Sequence, residues 1–276
     1  MRRSTIAAIA AVSTIAFMQI ASAADLPRKA PDYAPPPLPA IYNWTGFYVG
    51  GNFGGVWSDG DAERGSFFAS TGALDFAGRI ANGGFPNFNL NNAGVIAGGQ
   101  IGYNWQFAPN WMVGLEADIN YTGIDETKTV FIPPTGIFIA NTYAAQQQLR
   151  WLGTVRGRLG YAWDRWLLFA TGGLAYGEVR NSLSTIGIPQ GAGLPANVSA
   201  LVTSSDTKVG WTVGGGLEFA FTGNWSAKVE YLYFDLGSEN LFLNYSNLVV
   251  PSGPTGINYN FDTKGQIARL GVNYRF

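Results

Sequence analysis

Residues 94–121 read GVIAGGQIGYNWQFAPNWMVGLEADINY, two alternating runs joined by a short turn. In the first run Val95, Ala97, Gly99, Ile101, Tyr103, Trp105 and Phe107 share one side. Gly94, Ile96, Gly98, Gln100, Gly102, Asn104 and Gln106 take the other. Ala108-Pro109-Asn110 makes the turn. In the second run Trp111, Val113, Leu115, Ala117, Ile119 and Tyr121 oppose Met112, Gly114, Glu116, Asp118 and Asn120. Strict period-two alternation is the signature of a half-buried strand, so this stretch predicts a hairpin with one greasy and one polar face.

The same pattern recurs on either side. Trp44 to Trp57 sets Phe47, Val49, Phe53 and Trp57 on an apolar face. Arg150 to Trp163 carries Trp151, Val155, Leu159, Tyr161 and Trp163 opposite Thr154, Arg156 and Arg158. It turns at Asp164-Arg165 into Trp166 to Arg180, whose start is apolar on both sides and whose facing stays open. Lys208 to Phe221 sets Val209, Trp211, Val213, Leu217 and Phe219 against Thr212, Gly214, Gly216 and Glu218. After Thr222-Gly223-Asn224, the run Trp225 to Leu236 opposes Tyr231 and Tyr233 to Lys228 and Glu230. The last strand, Gln266 to Phe276, sets Leu270, Val272, Tyr274 and Phe276 against Arg269, Asn273 and Arg275.

These make eight strands. Short turns alternate with long loops at about 58–93, 122–149, 181–207 and 237–264. Each strand exceeds the roughly 9–11 residues that cross a bilayer at a tilt, and no apolar run of the mature chain approaches a membrane helix. Trp105, Trp111, Trp163, Trp166 and Trp225 lie beside the short turns, as an aromatic girdle at a membrane interface does. A water-soluble barrel would turn the apolar face inward instead. Eight strands enclose too little space for the Trp and Phe of every strand, which favours lipid outside. Lipid offers backbone groups no partners, so the sheet must close. The expected fold is all-β: a closed antiparallel eight-stranded transmembrane β-barrel with short periplasmic turns and four long extracellular loops.

The N-terminus carries an export address. Arg2 and Arg3 precede the apolar stretch Ile6 to Ile20, and Ala21-Ser22-Ala23 supplies the small residues of a cleavage site. Residues 1–23 read as a signal peptide, 24–43 as a Pro-rich periplasmic linker and 44–276 as the barrel. Arg28 and Lys29 in the linker offer a contact to anionic cell wall such as peptidoglycan, against the plainer reading of a solvated tether.

Composition narrows the chemistry. The 276 residues carry 37 Gly, 14% aromatic and only 13% charged residues, with a net charge of -1. No attraction to nucleic acid is implied. Without Cys or His there is no disulfide, no thiolate nucleophile, no imidazole metal site and no Ser-His pair. The chain reads as a non-enzyme with no cofactor. Glu116 and Asp118 are candidates for acid–base work, but they also face basic residues with which to pair. Asp59-Gly60-Asp61-Ala62-Glu63 lacks the spacing of an EF-hand and reads as loop charge.

The chain resembles the alphaproteobacterial outer-membrane β-barrel proteins of the porin-opacity and RopB type, with an OmpA-like eight-stranded barrel. The likeness rests on Ala21-Ser22-Ala23 followed by Ala24-Asp25-Leu26-Pro27, the Pro-rich run, and Trp44-Thr45-Gly46-Phe47-Tyr48-Val49-Gly50. It extends to Gly98–Trp105, Ala170–Gly177 and the closing Val272-Asn273-Tyr274-Arg275-Phe276. The resemblance implies a structural role in the outer membrane, association with its lipid and lipopolysaccharide, and exposure at the cell surface. It also implies that Leu270, Val272, Tyr274 and Phe276 form the signal read by the BAM assembly machinery.

The inward face mixes Glu116, Asp118, Glu218 and Glu230 with Arg156, Arg158, Lys228, Arg269 and Arg275. Buried charges must pair, so a salt-bridge network filling the lumen is expected. Two readings stay open: a structural plug, or a narrow or gated pore for small solutes using space beside inward Gly98, Gly102, Gly114, Gly214 and Gly216. An adhesin acting through the long loops is a third.

Overall fold

The computed structural model describes residues 42–68, 84–134, 140–188, 199–244 and 256–276. The signal peptide and most of the Pro-rich linker lie outside them. All regular structure within them is strand: β1 (Gly46–Ser58), β2 (Asp61–Phe68), β3 (Phe88–Asn89), β4 (Asn92–Gln106), β5 (Trp111–Ile132), β6 (Ala140–Trp163), β7 (Trp166–Ile188), β8 (Ser199–Ala220), β9 (Trp225–Asn244) and β10 (Gly256–Arg275). Neighbours pair antiparallel in the order β1-β4-β5-β6-β7-β8-β9-β10, and β10 returns to β1 to complete a ring. In that closing pair Val49 faces Tyr274 and Ser58 faces Gly265.

Ten strands stand where eight were expected. The additions are β2 and β3, from the expected first loop. The register of β1 on β10 continues unbroken into β2, which sets Asp61 opposite Asp262. Likewise the register of β1 on β4, Ser58 opposite Asn92, continues as Asp61 opposite Asn89 of β3. Thus β1 and β2 follow one lane, and β3 and β4 another. Asp59-Gly60 belongs to the first lane's interruption and Leu90-Asn91 to the second's. The amide of Leu90 donates to Gly60 O at 2.7 Å across the two interruptions. Within the Asp59–Glu63 run, Asp61–Glu63 is therefore strand rather than free loop, and Ala62 is buried.

The short turns fall where the sequence put them. Asp164 takes a left-handed φ of 54°, which lets Trp163 pair Trp166 across a two-residue turn. At the other end the expected loops 122–149, 181–207 and 237–264 are largely strand. The sequence reading ended each strand where outward apolar residues ran out. The alternation continues there in the opposite sense, polar side chains outward and apolar side chains inward. The facing of β7 is also settled: Leu167, Phe169, Ala175, Val179 and Leu183 point inward and are buried.

Strand β6 samples every interior layer. Ala162, nearest the turns, joins an apolar floor with Trp44, Met112, Leu167, Phe169 and Ala220. Arg158, Arg156 and Thr154 follow in a charged layer. Leu152 and Leu149 belong to a second apolar layer with Val56, Ile96, Leu232 and Phe234. Gln147 then bonds Asn181 and Thr263, at 3.2 and 3.1 Å. Ala145 and Tyr143 enter a third apolar layer with Phe85, Phe88, Leu241, Leu243, Ile257, Tyr259 and Phe261.

Register shifts accompany the change of layer. On β6 the shift at Leu149/Leu152 leaves neither Arg150 nor Trp151 buried, so inward positions change from even to odd numbers. On β9 Gly237, at φ 76°, and Ser238 are both exposed, and the same change follows. The amide of Gly237 donates to Asp235 Oδ1 at 2.8 Å, fixing that bulge.

The ring does not persist to the far end. Pairing of β4 with β5 stops at Ile96–Thr122, and that of β8 with β9 stops at Trp211–Asp235. Beyond those points the described strands form two sheets, β5-β6-β7-β8 and β9-β10-β2-β3, which share the third apolar layer. An interior of Phe, Tyr and Leu packs best between two sheets about 10 Å apart, a reason for round geometry to give way to a sandwich.

Candidate functional site: the charged layer

Alternation on β5, β6, β8, β9 and β10 aims eight charged side chains at one level of the interior. Glu116, Asp118, Glu218 and Glu230 meet Arg156, Arg158, Lys228 and Arg269, so the signs balance. Their side chains are inaccessible to solvent apart from 3% of Glu218. Arg156 sits at the centre. Its Nη2 lies 2.5 Å from Glu116 Oε1 and 2.9 Å from Asp118 Oδ2, and its Nη1 lies 2.6 Å from Glu230 Oε1. Arg269 holds Glu230 through Nε at 2.8 Å and Asp118 through Nη2 at 2.9 Å. Lys228 Nζ bonds both oxygens of Glu116 at 2.9 Å. Arg158 Nη2 reaches Glu218 Oε2 at 2.8 Å, while its guanidinium lies 4.0 Å from the centroid of Phe169.

Tyr48 and Phe169 escaped the sequence reading, whereas Thr154 and Asn273 stand on the inward face it assigned. Tyr48 donates to Glu116 Oε2 at 2.7 Å and accepts from Arg158 at 2.8 Å. Thr154 donates to Asp118 at 2.7 Å; Ser226 and Asn273 donate to Glu218 at 2.5 and 2.9 Å. Parity along β1 was the available signal for Tyr48, since it stands between outward Phe47 and Val49. Phe169 had no such signal because both faces of β7 begin apolar.

Arg275 is a correction. It lies at the turn end of β10 and forms no ion pair with the charged layer. It donates to the backbone carbonyl of Asn43, and its guanidinium lies 4.4 Å from the centroid of Tyr42. Position explains this: the last turn end is too far down the lane to reach the carboxylates. Trp44 is a second correction. It precedes β1 instead of opening it, is 2% exposed in the floor, and donates through Nε1 to Asp164 O at 3.3 Å. The linker's expected last residues, Tyr42 and Asn43, thus pack with the strands.

The inward glycines make room for protein atoms. A Cβ on Gly216 would meet Phe169 Cζ at 2.8 Å, and one on Gly214 would meet Leu232 Cδ2 at 2.7 Å. Tyr48 occupies the space beside Gly102. Among the described residues no group of three acidic, His or Cys side chains is placed to hold a metal.

On the outside, Trp105, Trp111, Trp163, Trp166 and Trp225 are exposed at the turn end. Trp111 packs on Tyr161 and Trp225 on Tyr274, with ring centroids 5.3 and 5.1 Å apart. A second belt, unforeseen in the sequence, contains Trp57, Tyr121, Trp151, Trp211 and Tyr233; Trp211 and Tyr233 lie 5.4 Å apart. Leu270, Val272 and Phe276 are exposed on the outward row of β10 that also carries Tyr274.

A family model for the outer membrane protein beta-barrel domain matches residues 8–276. The 31 kDa outer-membrane immunogenic protein of Brucella melitensis is 35% identical over 286 residues, covering 100% of both chains. The 22 kDa outer membrane protein of Rhizobium leguminosarum bv. viciae is 28% identical, covering 75% of this chain and 72% of its own. The outer membrane protein OprG of Pseudomonas aeruginosa aligns over 85% of this chain and 98% of its own, at 12% identity and a TM-score of 0.42.

Proposed function

This chain belongs to the outer membrane protein beta-barrel domain family and is an outer-membrane protein, and from that premise we propose that it is a closed eight-lane transmembrane β-barrel whose interior is a structural plug. Its role is envelope integrity and presentation of a surface structure, not solute passage or catalysis. The charged layer is the observation that carries this reading. Balanced charges bond one another across the lumen, with apolar layers on both sides. A conducting lumen needs water along its axis, and three apolar layers oppose that. The carboxylates of Glu116 and Asp118 are engaged by Arg156, Lys228 and Arg269, which leaves neither poised as an acid or base.

The unbroken registers of β1 into β2 and of β3 into β4 support eight lanes. The two aromatic belts support the membrane level. From Trp111 to Tyr121, ten residue-to-residue steps of about 3.3 Å, tilted by about 40°, span about 25 Å, the height of an outer-membrane apolar band. The turn end then faces the periplasm and the two-sheet end projects outside. Outward Leu115, Ile119, Leu159 and Leu174 face lipid, with lipopolysaccharide around the outer belt. Leu270, Val272, Tyr274 and Phe276 stand on one lipid-facing row, where the BAM machinery can read them during assembly. Planar-bilayer recording of the refolded protein tests the plug. No steady current above the leak is expected, and stable open channels would support the small-solute porin instead.

A further inference from the structure

The residues just before β1, Tyr42–Thr45, join no ladder, yet they cross the turn end of the ring. Gly46 sends them there. Its φ is 144°, a conformation that residues with side chains rarely adopt, and a Cβ on it would meet Phe276 O at 3.2 Å and Arg275 Cγ at 3.3 Å. Glycine thus lets the chain leave the β1 lane close beside the end of β10. Trp44 then reaches the β6–β7 turn, which lies opposite β1 in the strand order, and bonds Asp164 O there. Its ring completes the apolar floor over Ala162 and Phe169, and Tyr42 packs edge-on against it with ring centroids 5.0 Å apart.

The crossing is held from separate parts of the wall. On β4, Gln106 Oε1 accepts the Trp44 amide at 2.9 Å, and the Gln106 amide donates to Thr45 Oγ1 at 3.0 Å. The β6–β7 turn supplies the Asp164 carbonyl. On β10, Arg275 donates to the Asn43 carbonyl and sets its guanidinium against the Tyr42 ring. Ordering a segment that gains no ladder costs conformational entropy, and a single hydrogen bond does not offset it. These contacts coincide only when β10 already lies beside β1 and the β6–β7 turn stands across from it. The place covered matters as well. Phe169 belongs to the floor and lies against the guanidinium of Arg158, a member of the charged layer. Water admitted through the floor would meet that layer at once, and ion pairs weaken as their surroundings become wet.

We propose that Tyr42–Thr45 is a strap that seats last, once β10 has closed on β1, and then locks that seam and keeps periplasmic water from the charged layer. This rests on the closed barrel and the orientation given above. The test uses the full mature protein refolded in lipid vesicles, with a charged thiosulfonate on both faces of the membrane. The chain has no Cys of its own, so each introduced thiol is labelled alone. Ala162→Cys, under the strap, should react at least about tenfold more slowly than Thr222→Cys in an exposed turn, and adding Trp44→Ala should remove most of that difference. Trp44→Ala should also speed unfolding by at least about tenfold while leaving the refolding rate within about twofold, because contacts made after the transition state act on unfolding alone. Met112→Ala empties the same floor from the wall and should change both rates. An Ala162→Cys thiol as reactive as the Thr222→Cys thiol overturns the proposal, because the mouth is then open. Slowed refolding of Trp44→Ala, or its failure to refold, overturns it too, since a strap seated last is not needed to build the wall. Wild-type protein that shows no heat-modifiable migration overturns the barrel reading itself.

Discussion

The two halves of the ring are built from the same strands with opposite chemistry. Near the turns, β5 sends Glu116, Asp118 and Asn120 inward and Leu115, Ile119 and Tyr121 outward. Farther along, still in step, it sends Ile124, Val130 and Ile132 inward and Asp125, Thr127 and Thr129 outward. The backbone period is two in both halves. What changes is which side meets an apolar medium. At the membrane level proposed above, that medium in the first half is lipid, so the inside must satisfy charges by pairing. In the second it is the protein's own core, so the inside excludes water and the ring divides into two sheets.

The largest expected break of this contrast is Arg156→Met. It strips three carboxylates of their shared cation within a solvent-free layer. Removing one partner from a buried ionic group costs about 3–5 kcal/mol, so urea-gradient refolding should show a midpoint lowered to match. An unchanged midpoint would mean that the remaining cations compensate.

A sharper test uses one face of one strand. Leu115→Arg places a charge at mid-band and should cost about 2–4 kcal/mol in lipid vesicles. Thr127→Arg, outward on the same strand beyond the outer belt, should stay within about 0.5 kcal/mol of wild type. Equal effects would remove the boundary between the halves.

The bulge on β9 marks that boundary. Gly237→Ala meets no atom within 4 Å, so its effect is that of a left-handed backbone alone, about 1–2 kcal/mol. The loss should register in amide exchange of 238–244 more than in the membrane band.

The smallest effect is confined to the far core. Burial pushes the Tyr259 hydroxyl up from its ordinary value, a rise that neighbouring Tyr143 reinforces. The hydroxyl donates to Pro86 O at 3.0 Å. Because the folded state holds the proton more tightly than the unfolded state, this contribution is complete below about pH 10. It is lost as pH rises beyond that. Tyr259→Phe should flatten the alkaline decline of far-end stability, measured by limited proteolysis, and leave the neutral value nearly unchanged.

The charged layer was legible from parity: eight of the nine charges assigned to the lumen lie together because strand alternation leaves an inward residue no other direction. Arg275 was misassigned because parity gives side but not depth. Tyr48 carries the inward parity of its place between Phe47 and Val49, but an uncharged phenol gives no sign in the sequence that it joins an ionic layer. The far halves of β5 to β10 look like loops in the sequence because the outward apolar residues that mark a strand stop there, the apolar side chains having moved inside.

The sequence by itself determined the alternation, the short turns, the aromatic belt beside them and the sign balance of the inward charges. Each depends on neighbours two or three residues away, within reach of local pattern. Only the tertiary structure decided which charges bond, where the register slips at Gly237 and Arg150–Trp151, and where the ring opens into two sheets. Those depend on residues far apart in the chain meeting across the interior, where depth, volume and dryness choose among arrangements that alternation permits equally.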